Sequence, residues 1–488
     1  MRGLYEPDRD PSPESLLDSS ALLLYFPAPR TVTGEDVLEL HVHGGTAVVK
    51  AVLSAIPKCS SVLGSIRYAE PGEFTRRAFM NGRLDLTQVE ALGDTLSAAT
   101  EQQRRLSVRG TTNQLAQKYE AWRRQLLYAR GELEALIDFS EDQHFDESPA
   151  LLTASVARQV RDLLLLLDLH CKNAVKGELL RNGITISLLG APNAGKSSLL
   201  NRVVGREAAI VSQEAGTTRD VVEVGIDLGG YLCRLGDTAG LRRVLDQSKS
   251  QGEHIQEKIG LIEEEGMRRA KQRAAESDVV IVVFSLEIEN GNVALKLDPE
   301  VVETTARLSE DNPDNVLVVL NKIDLFSAAP FDENVVENEI RAVLPHVQAK
   351  DIFPISCRNA EISTDPAAGN IPSFLSGLMA KFEAMTSPIG ADSSLDADPS
   401  VWQESLGATE RHRLLLDECR LHLYEFLTQV GATDQGDSVA EDEDIDIVLA
   451  AESLRSAANC LSRITGRGDA FDTEAVLGVV FEKFCVGK

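Results

Sequence analysis

The chain has 488 residues, with 49 Lys and Arg against 76 Asp and Glu, and its formal net charge is −27. This negative charge argues against broad, non-specific binding to nucleic acid or anionic membranes, so any RNA contact must be local or shared with a partner. No apolar run approaches the roughly 20 residues of a membrane span. Seven cysteines without a CxxC pair indicate reduced intracellular thiols rather than a disulfide or zinc framework.

The length is sufficient for roughly three domains. Short β-rich runs between Pro/Gly turns, such as ALLLYF and DVLELHVHGG, predict a small α+β domain over residues 1–82. Proline-poor stretches predict a helical domain over 83–181, and strands alternating with helices predict an α/β domain over 182–384. A polar linker and a second helical part follow over 385–488. The simplest topology inserts the α/β domain into a discontinuous helical domain.

Residues 190–198 read GAPNAGKSS and match the phosphate-loop pattern G-x-x-x-x-G-K-[ST]. The β-rich run GITISLL leads into the loop, and SSLLNRVVG leads out as a helix whose N-terminus favours anions. Lys196 supplies a point charge to the β- and γ-phosphates, and the Ser197 hydroxyl is placed to bind Mg²⁺. The segment therefore predicts binding of a nucleoside triphosphate.

Two elements that would sense the γ-phosphate follow in the order that a GTPase needs. In AGTT (215–218), Thr218 is placed to bind Mg²⁺. DTAG (237–240) follows the predicted strand YLCRLG; its Asp237 would support the metal and the Gly240 amide would meet the γ-phosphate.

Two further elements predict that the base is guanine. NKID (321–324) ends the apolar run NVLVVL, a predicted strand, and its Asp324 carboxylate can accept both N1–H and N2–H of guanine, which adenine cannot offer. SCR (356–358) ends the run DIFPIS, where a backbone amide can meet guanine O6. The predicted GTP-binding residues are Asn193, Ala194, Gly195, Lys196, Ser197, Ser198, Ser212, Gln213, Glu214, Ala215, Gly216, Thr217, Thr218, Asp237, Thr238, Ala239, Gly240, Asn321, Lys322, Asp324, Ser356, Cys357 and Arg358.

One catalytic position differs from Ras-type GTPases. Leu241 stands where those proteins carry the Gln that orients the attacking water, so the water must be positioned from elsewhere. Asn193 is a candidate ligand for a monovalent cation that would bridge the phosphates. The alternative is that Asn193 only forms the turn.

Other constellations favour structural roles. His41 and His43 in LHVHGG stand without a neighbouring ligand set, so a strand running into a Gly-Gly turn is favoured over a metal site. The basic pairs Arg76-Arg77 and Arg104-Arg105 and the cluster at Trp122 are typical of solvated helix faces, with RNA phosphate contact as the alternative.

Longer segments carry a family resemblance that spans almost the whole chain. The two specific segments are PGEFTRRAFMNGRLDLTQVEA (71–91) and the terminal FCVGK. They are accompanied by TGEDVLELHVHGG (33–45), GAPNAGKSSLLN (190–201), GREAAIVSQEAGTTRDV (205–221), DTAGLR (237–242) and NKID (321–324). On these segments the chain resembles the MnmE (TrmE) family of tRNA-modification GTPases, in a eukaryotic, mitochondrial-type form.

The resemblance implies a folate-binding N-terminal domain, a discontinuous helical domain and an inserted P-loop G domain. It implies a homodimer through the N-terminal domains and a mitochondrial location, while the lack of an apolar run of membrane-span length predicts no membrane association. It further implies that the protein, with a FAD-dependent partner of the MnmG type, modifies carbon 5 of the tRNA wobble uridine. A tetrahydrofolate derivative would donate the one-carbon unit, and GTP would be hydrolysed when two G domains meet across K⁺.

The resemblance also implies roles for individual residues. Glu263 in IEEEGMRRA matches the Glu that indirectly positions the hydrolytic water, which would answer the missing Gln at Leu241; the alternative is a solvated helical carboxylate beside Glu264 and Glu265. The implied catalytic residues are Asn193, Lys196, Thr218 and Glu263, and the implied Mg²⁺ ligands are Ser197 and Thr218. The implied K⁺ ligands are Asn193, Ser212, Glu214 and Thr217, in a loop over 212–218. The implied folate-binding residues are Glu35, Arg83 and Lys488.

The chain departs from the family pattern at its beginning. The family's Gly-rich opening run, which ends in an Arg that touches folate, is absent before Met1. We therefore expect a truncated or mis-started N-terminus, an incomplete folate pocket and no transit peptide. The segment 244–261 is longer than in bacterial members, Ser212 stands where Thr is common, and Cys485 matches the family's terminal Cys.

Two alternatives to this function come from other classes. A ribosome-assembly GTPase of the Era/Der kind would carry a basic KH-like RNA module, which the acidic helical C-terminus does not provide. A nucleotide-switched scaffold would be non-enzymatic, with an N-terminal domain unable to hold folate.

Overall fold

The computed structural model describes residues 1–59, 66–139, 149–206, 208–214, 223–235, 268, 270–289, 292–328, 333–362, 368–389, 403–432 and 446–467. The chain divides into two compact units. Unit 1 comprises Met1–Ser97, Ser107–Cys171 and Glu410–Lys488, and unit 2 comprises Ala98–Leu106 and Lys172–Thr409. Unit 1 is thus built from sequence on both sides of the main segment of unit 2.

The described strands are β1 (Arg2–Tyr5), β2 (Leu16–Phe26), β3 (Val37–His41), β4 (Ile184–Leu189), β5 (Ala208–Glu214), β6 (Glu223–Leu228), β7 (Tyr231–Leu235), β8 (Val279–Glu289), β9 (Asn292–Lys296), β10 (Val316–Asn321) and β11 (Ile352–Pro354). The described helices with defined bounds are α1 (Thr46–Ala55), α2 (Glu73–Met80), α3 (Leu86–Ser97), α4 (Glu101–Gly110), α5 (Gln114–Phe139), α6 (Pro149–Asn182), α7 (Lys196–Arg206), α8 (Pro299–Asp311), α9 (Glu333–Val343), α10 (Cys357–Ile362), α11 (Ile371–Thr386), α12 (Glu410–Gln429) and α13 (Ile447–Ile464). None of the described helices is both long and apolar enough to cross a bilayer.

Unit 1 begins with an antiparallel sheet in the order β1–β2–β3, followed by α1 and α2. The rest of the unit is helical, and its core joins α5 and α6 to α12 and α13. In α5 the residues that enter this core are spaced alternately by four and three positions, which places them on one stripe of the helix. They are Leu115, Tyr119, Trp122, Leu126, Ala129 and Leu133. The same spacing recurs in α13 at Ala450, Leu454, Ala457, Leu461 and Ile464.

Unit 2 contains a mainly parallel sheet in the order β11–β10–β8–β4–β7–β6–β5, with β9 paired to β8. Strands β4, β7, β8, β10 and β11 run parallel, whereas β5–β6, β6–β7 and β8–β9 are antiparallel. Successive residues of β10 enter two different cores: Leu317 and Val319 join one, and Val316, Val318 and Leu320 join the other. Apolar residues therefore cover both faces of the sheet, as expected for parallel strands.

The predicted strands GITISLL, YLCRLG, NVLVVL and DIFPIS are confirmed as β4, β7, β10 and β11, and the helix after the phosphate loop is confirmed as α7. The hairpin strand β9 was not predicted. The domain limits 1–82, 83–181, 182–384 and 385–488 stay predictions.

Within the helical domain predicted over 83–181, the chain leaves the helical conformation between α3 and α4. Gln103 Oε1 accepts hydrogen bonds from the amides of Ala99 (2.9 Å) and Thr100 (3.2 Å), and Thr100 Oγ1 accepts from the Gln103 amide (3.5 Å). This reciprocal pair is a capping box, which starts a new helix at Glu101.

Candidate nucleotide-binding site

The phosphate loop lies where β4 ends and α7 begins. Parallel pairing with β7 and β8 holds β4 inside the sheet, so the loop sits at the carboxyl edge of the strands. Lys196 Nζ donates hydrogen bonds to the carbonyl oxygens of Gly190 (2.7 Å) and Ala191 (2.8 Å), which holds the ammonium group against the loop. Because α7 has no acidic residue in its first turn, the positive end of its dipole can act on an anion.

Polar side chains of the loop are exposed where a metal–phosphate group would approach. Ser197 and Ser198 are exposed in the first turn of α7, so the Ser197 hydroxyl fits a Mg²⁺ ligand in position and chemistry. Asn193 is also exposed, and its φ of 63° is left-handed. This conformation is the one that the turn interpretation requires. The role of Asn193 as a cation ligand stays a prediction.

The predicted guanine end is built from two neighbouring parallel strands. Asn321 ends β10, Asp324 lies in the 3₁₀ turn Ile323–Ala328, and Ser356 follows β11. Ser356 Oγ donates a hydrogen bond of 2.6 Å to Asp324 Oδ1, and the Asn359 amide donates one of 3.0 Å to Ser356 Oγ. The Asp324 carboxylate is therefore oriented before any base arrives.

A side-chain amide connects the guanine end to the phosphate loop. Asn321 is buried, its Nδ2 donates to the Ala194 carbonyl oxygen at 3.0 Å, and its Oδ1 accepts from the Cys357 amide at 3.3 Å. Lys322 has a left-handed φ of 68°, and its Nζ lies 3.8 Å from Glu287 Oε1. The structure thus brings together the residues predicted from GAPNAGKSS, NKID and SCR.

Glu287 is a neighbour of this site that the sequence did not predict. It lies on β8, beyond the point where β10 ends, and it also contacts Lys296 of β9 at 2.9 Å. Hydrogen bonding to Lys296 is the main cause that holds the pKa of Glu287 below its ordinary value, with Lys322 contributing. The prediction missed Glu287 because its position beside Lys322 depends on β8 pairing with β10 and continuing past the end of that strand, which no motif marks.

Comparison with known proteins identifies the family. The sequence profile described as "MnmE helical domain" matches residues 86–485, and the profile "GTP-binding protein TrmE N-terminus" matches residues 3–83. This chain belongs to the MnmE family. The fold prediction is confirmed: an N-terminal TrmE-type α+β part precedes a discontinuous helical part with an inserted P-loop α/β part.

Individual MnmE relatives match nearly the whole chain. The "tRNA modification GTPase MnmE" of Parvibaculum lavamentivorans is 38% identical over 98% of this chain and 89% of its own length. The mitochondrial "tRNA modification GTPase mss1" of Schizosaccharomyces pombe is 37% identical over 96% and 84%. The mitochondrial "5-taurinomethyluridine-[tRNA] synthase subunit GTPB3" of Homo sapiens is 37% identical over 98% and 83%.

Several of the residues discussed under the sequence predictions lie outside the described ranges. They are Ala215, Gly216, Thr217, Thr218, Asp237, Thr238, Ala239, Gly240, Leu241, Glu263, Cys485 and Lys488. The backbone of Ser212, Gln213 and Glu214 belongs to β5, where these residues pair with Gly225, Val224 and Glu223 of β6. Their predicted roles stay predictions.

Two of the predicted folate residues of this MnmE-family chain lie on adjoining loops. Arg83 Nε donates to the Thr31 carbonyl oxygen at 3.0 Å, and Asn81 Nδ2 donates to the Thr33 carbonyl oxygen at 2.8 Å. Asn81 Nδ2 also lies 3.3 Å from Glu35 Oε1. However, Arg83 lines a cavity of about 530 Å³ and Glu35 lines a different one of about 420 Å³. The structure brings the two residues close without placing them in one cavity.

The histidine pair of the N-terminal sheet behaves as a strand end, as predicted. His41 ends β3 and lies 3.1 Å from Glu39, whereas His43 lies 2.7 Å from Asp18. Backbone amides of Ser20 and His43 are the main cause that lowers the pKa of Asp18 to about 2.

Among the basic clusters, Arg77 pairs with Glu73 at 2.6 Å, Arg104 and Arg105 each pair with Glu101 at 2.8 Å, and Arg123 pairs with Glu120 at 3.0 Å. These pairs fit solvated helix faces.

Proposed function

We propose that this MnmE-family chain hydrolyses GTP and that hydrolysis serves modification of carbon 5 of the tRNA wobble uridine. The binding and hydrolysis of GTP are supported by two hydrogen bonds: Asn321 connects the predicted guanine-binding residues to the phosphate loop, and Ser356 orients Asp324. The tRNA half rests on family membership, because the relatives are named for tRNA modification and for a 5-taurinomethyluridine-[tRNA] synthase.

Guanine selectivity is assigned to Asp324, and Asp324→Asn tests it. Xanthine carries a carbonyl oxygen at C2 where guanine carries an amino group. An Asn side chain can therefore accept from N1–H and donate to the C2 oxygen of xanthine, but it cannot accept from both N1–H and N2–H of guanine. We expect GTP affinity to fall by about 100-fold or more, since two hydrogen bonds to a carboxylate are affected. XTP affinity should rise, as measured with fluorescent nucleotide analogues. Asp314→Asn, on an exposed turn before β10, is the matched control. Unchanged GTP affinity in Asp324→Asn would refute the assignment.

We assign hydrolysis to Glu263, with Mg²⁺ at Ser197 and Thr218 and K⁺ at Asn193 and the 212–218 loop. Leu241 supports this arrangement because its side chain cannot orient water. GTP turnover in KCl against NaCl should be faster in KCl for the wild type, and Asn193→Ala should remove the difference. Glu263→Ala should keep GTP binding and lose turnover. Equal wild-type rates in both salts would exclude the K⁺ role, and full turnover in Glu263→Ala would assign the water to another carboxylate such as Glu264.

We propose that the chain acts on tRNA with a FAD-dependent partner of the MnmG type. The test mixes the purified chain, this partner, tRNA, a tetrahydrofolate donor and an amine, and then measures wobble nucleosides by mass spectrometry. Asp324→Asn should support modification with XTP but not with GTP. If Asp324→Asn modified tRNA with GTP and without XTP, the tRNA reaction would not depend on guanine binding by Asp324.

We propose that Arg83, Glu35 and Lys488 hold the tetrahydrofolate derivative. Support comes from Arg83, which is exposed beside a cavity of about 530 Å³ also lined by polar groups such as Gln88 and Gln117. Calorimetry with tetrahydrofolate should show weaker binding by Arg83→Ala than by the wild type. Arg30→Ala, an exposed arginine that does not line this cavity, is the control. Equal affinity of Arg83→Ala and the wild type would exclude Arg83.

We propose that two copies dimerise through their N-terminal sheets and work in mitochondria. Tyr25 and Leu38 face each other across β2 and β3 and remain 61% and 59% exposed, an apolar pair that favours burial against a second copy. Leu38→Glu should shift the mass measured by light scattering from dimer to monomer, whereas Leu165→Glu on α6 should not. The mitochondrial names of the yeast and human relatives support the location, which fractionation of the source cells would test.

A further inference from the structure

Helices α12 and α13 bring three metal-binding side chains together in unit 1, and none of the three is assigned to GTP or folate. Glu418 and His422 lie four residues apart on α12, so they share one face of that helix. Cys460 lies on α13, and one ligand atom from each of the three residues falls within 4.8 Å of the others. Within the part of the chain that the structure describes, no other trio of His, Cys, Asp and Glu side chains meets in this way.

We propose that Glu418, His422 and Cys460 bind a transition-metal ion of the zinc class. A carboxylate, an imidazole and a thiolate together suit Zn²⁺, whereas Mg²⁺ and Ca²⁺ prefer oxygen ligands alone. Bond lengths of about 2.0–2.3 Å place tetrahedral ligand atoms about 3.3–3.8 Å apart. Side-chain rotations that move the three ligand atoms about 1 Å closer together would therefore complete the site.

The burial of the three residues fits an ion held at the edge of the helix pair. Cys460 is buried, while the side chains of His422 and Glu418 are 26% and 45% exposed. An ion can therefore enter from solvent and keep a water molecule as its fourth ligand, and its binding would link α12 to α13.

A second carboxylate orients the imidazole in the manner of metal sites. His422 Nδ1 lies 3.0 Å from Glu425 Oε2, which leaves Nε2 as the ring nitrogen for the metal. Metal-binding histidines commonly donate their other ring N–H to a carboxylate, which fixes the tautomer and increases the basicity of the ligand nitrogen.

Two features oppose the metal and set its expected affinity. Glu418 Oε2 already pairs with Arg463 at 3.2 Å, but both side chains are substantially exposed and such pairs contribute only about 0–1 kcal/mol. Burial is the main cause that raises the pKa of the Cys460 thiol to about 12, so the metal must also displace a proton. Binding should therefore be weaker than in zinc sites that have four protein ligands.

The test titrates Co²⁺, a spectroscopic substitute for Zn²⁺, into the nucleotide-free full chain after treatment with a chelator. The wild type should show a thiolate-to-cobalt charge-transfer band that saturates at one ion per chain. Cys460→Ser should lose this band, and His422→Gln should weaken the affinity by about tenfold or more. Cys59→Ser, which removes an exposed cysteine elsewhere in unit 1, is the matched control and should keep the band.

A second measurement keeps the proposal testable if Cys460→Ser does not fold. Zn²⁺ should raise the unfolding temperature of the wild type, since a ligand that binds only the folded state stabilises it, and His422→Gln should show a smaller rise. A charge-transfer band that persists in folded Cys460→Ser, or equal Co²⁺ affinity and equal Zn²⁺ stabilisation in His422→Gln and the wild type, would overturn the site. No cobalt band in the wild type would do the same.

Discussion

The Asn321 side-chain amide donates a hydrogen bond of 3.0 Å to the carbonyl oxygen of Ala194, which lies 127 residues earlier in the chain. This bond joins the end of β10 to the phosphate loop, so the base-binding and phosphate-binding parts of the site are positioned together. The geometry leaves no space beside Asn321, since a Cβ built on Gly195 would lie 2.0 Å from Asn321 Nδ2.

Gly195→Ala should therefore disable nucleotide binding. Gly195 has a left-handed φ of 103°, which strains any L side chain, and the buried Asn321 amide cannot move without losing its bond to Ala194. We expect a loss of about 1–3 kcal/mol in stability and a large fall in GTP affinity, measured by thermal unfolding and nucleotide titration.

A double-variant cycle separates the clash from the backbone strain. In the Asn321→Ala background the clash is removed, so Gly195→Ala should destabilise less than it does in the wild type. Fully additive losses would mean that Asn321 does not restrict residue 195.

Gly177→Ala should destabilise unit 2, against the usual helix preference for Ala. Gly177 lies inside α6, and a Cβ there would lie 1.9 Å from the backbone carbonyl oxygen of Leu406. Because the obstacle is backbone, we expect a loss of about 1–3 kcal/mol in the free energy of unfolding. The measurement is urea unfolding followed by circular dichroism.

Gly131→Ala is the matched control for this prediction. Gly131 lies inside α5, and an added Cβ would meet no atom within 4 Å. Helix propensity alone then applies, and the change should stabilise by about 0.5–1 kcal/mol. If Gly177→Ala and Gly131→Ala changed the free energy of unfolding in the same direction, this would contradict the close approach of residue 177 to the Leu406 carbonyl oxygen.

The nucleotide site could be predicted from sequence to the extent that its chemistry acts through local spacing. A phosphate loop requires glycines and a lysine at set intervals, and a buried parallel strand requires a continuous apolar run, so β4, α7 and the NKID turn were predictable. The contact of Glu287 with Lys322 depends on the pairing of β8 with β10 and on the extension of β8 past β10, which no motif marks. The break before α4 was visible as Thr100-x-x-Gln103, but the surrounding apolar periodicity masked it.

Long-range ion pairs could not be predicted because nothing in their local sequence signals the partner. Glu90 and Arg411 are separated by 321 residues, and Lys381 meets Asp351 only after β11 and α11 have packed. Their side chains stand in amphipathic helices or turns, where a charged residue is ordinarily solvated.

Removing one partner of the buried pair Lys381–Asp351 should destabilise unit 2 strongly. Lys381 Nζ lies 3.0 Å from Asp351 Oδ1, and both side chains are less than a tenth exposed. Lys381→Met should lower the free energy of unfolding by about 3–5 kcal/mol because it leaves a buried charge unpaired. The double variant Lys381→Met/Asp351→Leu should recover most of this loss.

The pair Glu337–Arg341 on α9, whose side chains are half-buried and exposed, is the control, and Arg341→Met should change stability by less than about 1 kcal/mol. A double variant as unstable as Lys381→Met alone would show that the ion pair itself, rather than an unpaired charge, supports the fold.

Glu90 should make the free energy of unfolding of unit 1 decrease with falling pH over a limited acidic range. Its two carboxylate oxygens each lie 2.7 Å from a nitrogen, one from Arg411 and one from His412, and Arg411 also donates to the carbonyl oxygens of Arg463 and Ile464. Burial alone would raise the pKa of Glu90, but the nearby His412 and Arg411 charges overcome it and lower the pKa from 4.5 to about 2.

A carboxylate whose pKa is lower in the folded state stabilises fully above its unfolded pKa and loses this effect as the pH falls towards its folded pKa. The difference between 4.5 and about 2 corresponds to about 3 kcal/mol. Glu90→Gln should thus lower the stability of unit 1 at neutral pH by about this amount and flatten its dependence between pH 4.5 and 2. Urea unfolding across pH measures both effects. Glu452, which forms an exposed ion pair with Arg455, provides the control: Glu452→Gln should show the same dependence of unfolding free energy on pH as the wild type. The same pH dependence in Glu90→Gln and the wild type would contradict the role of Glu90.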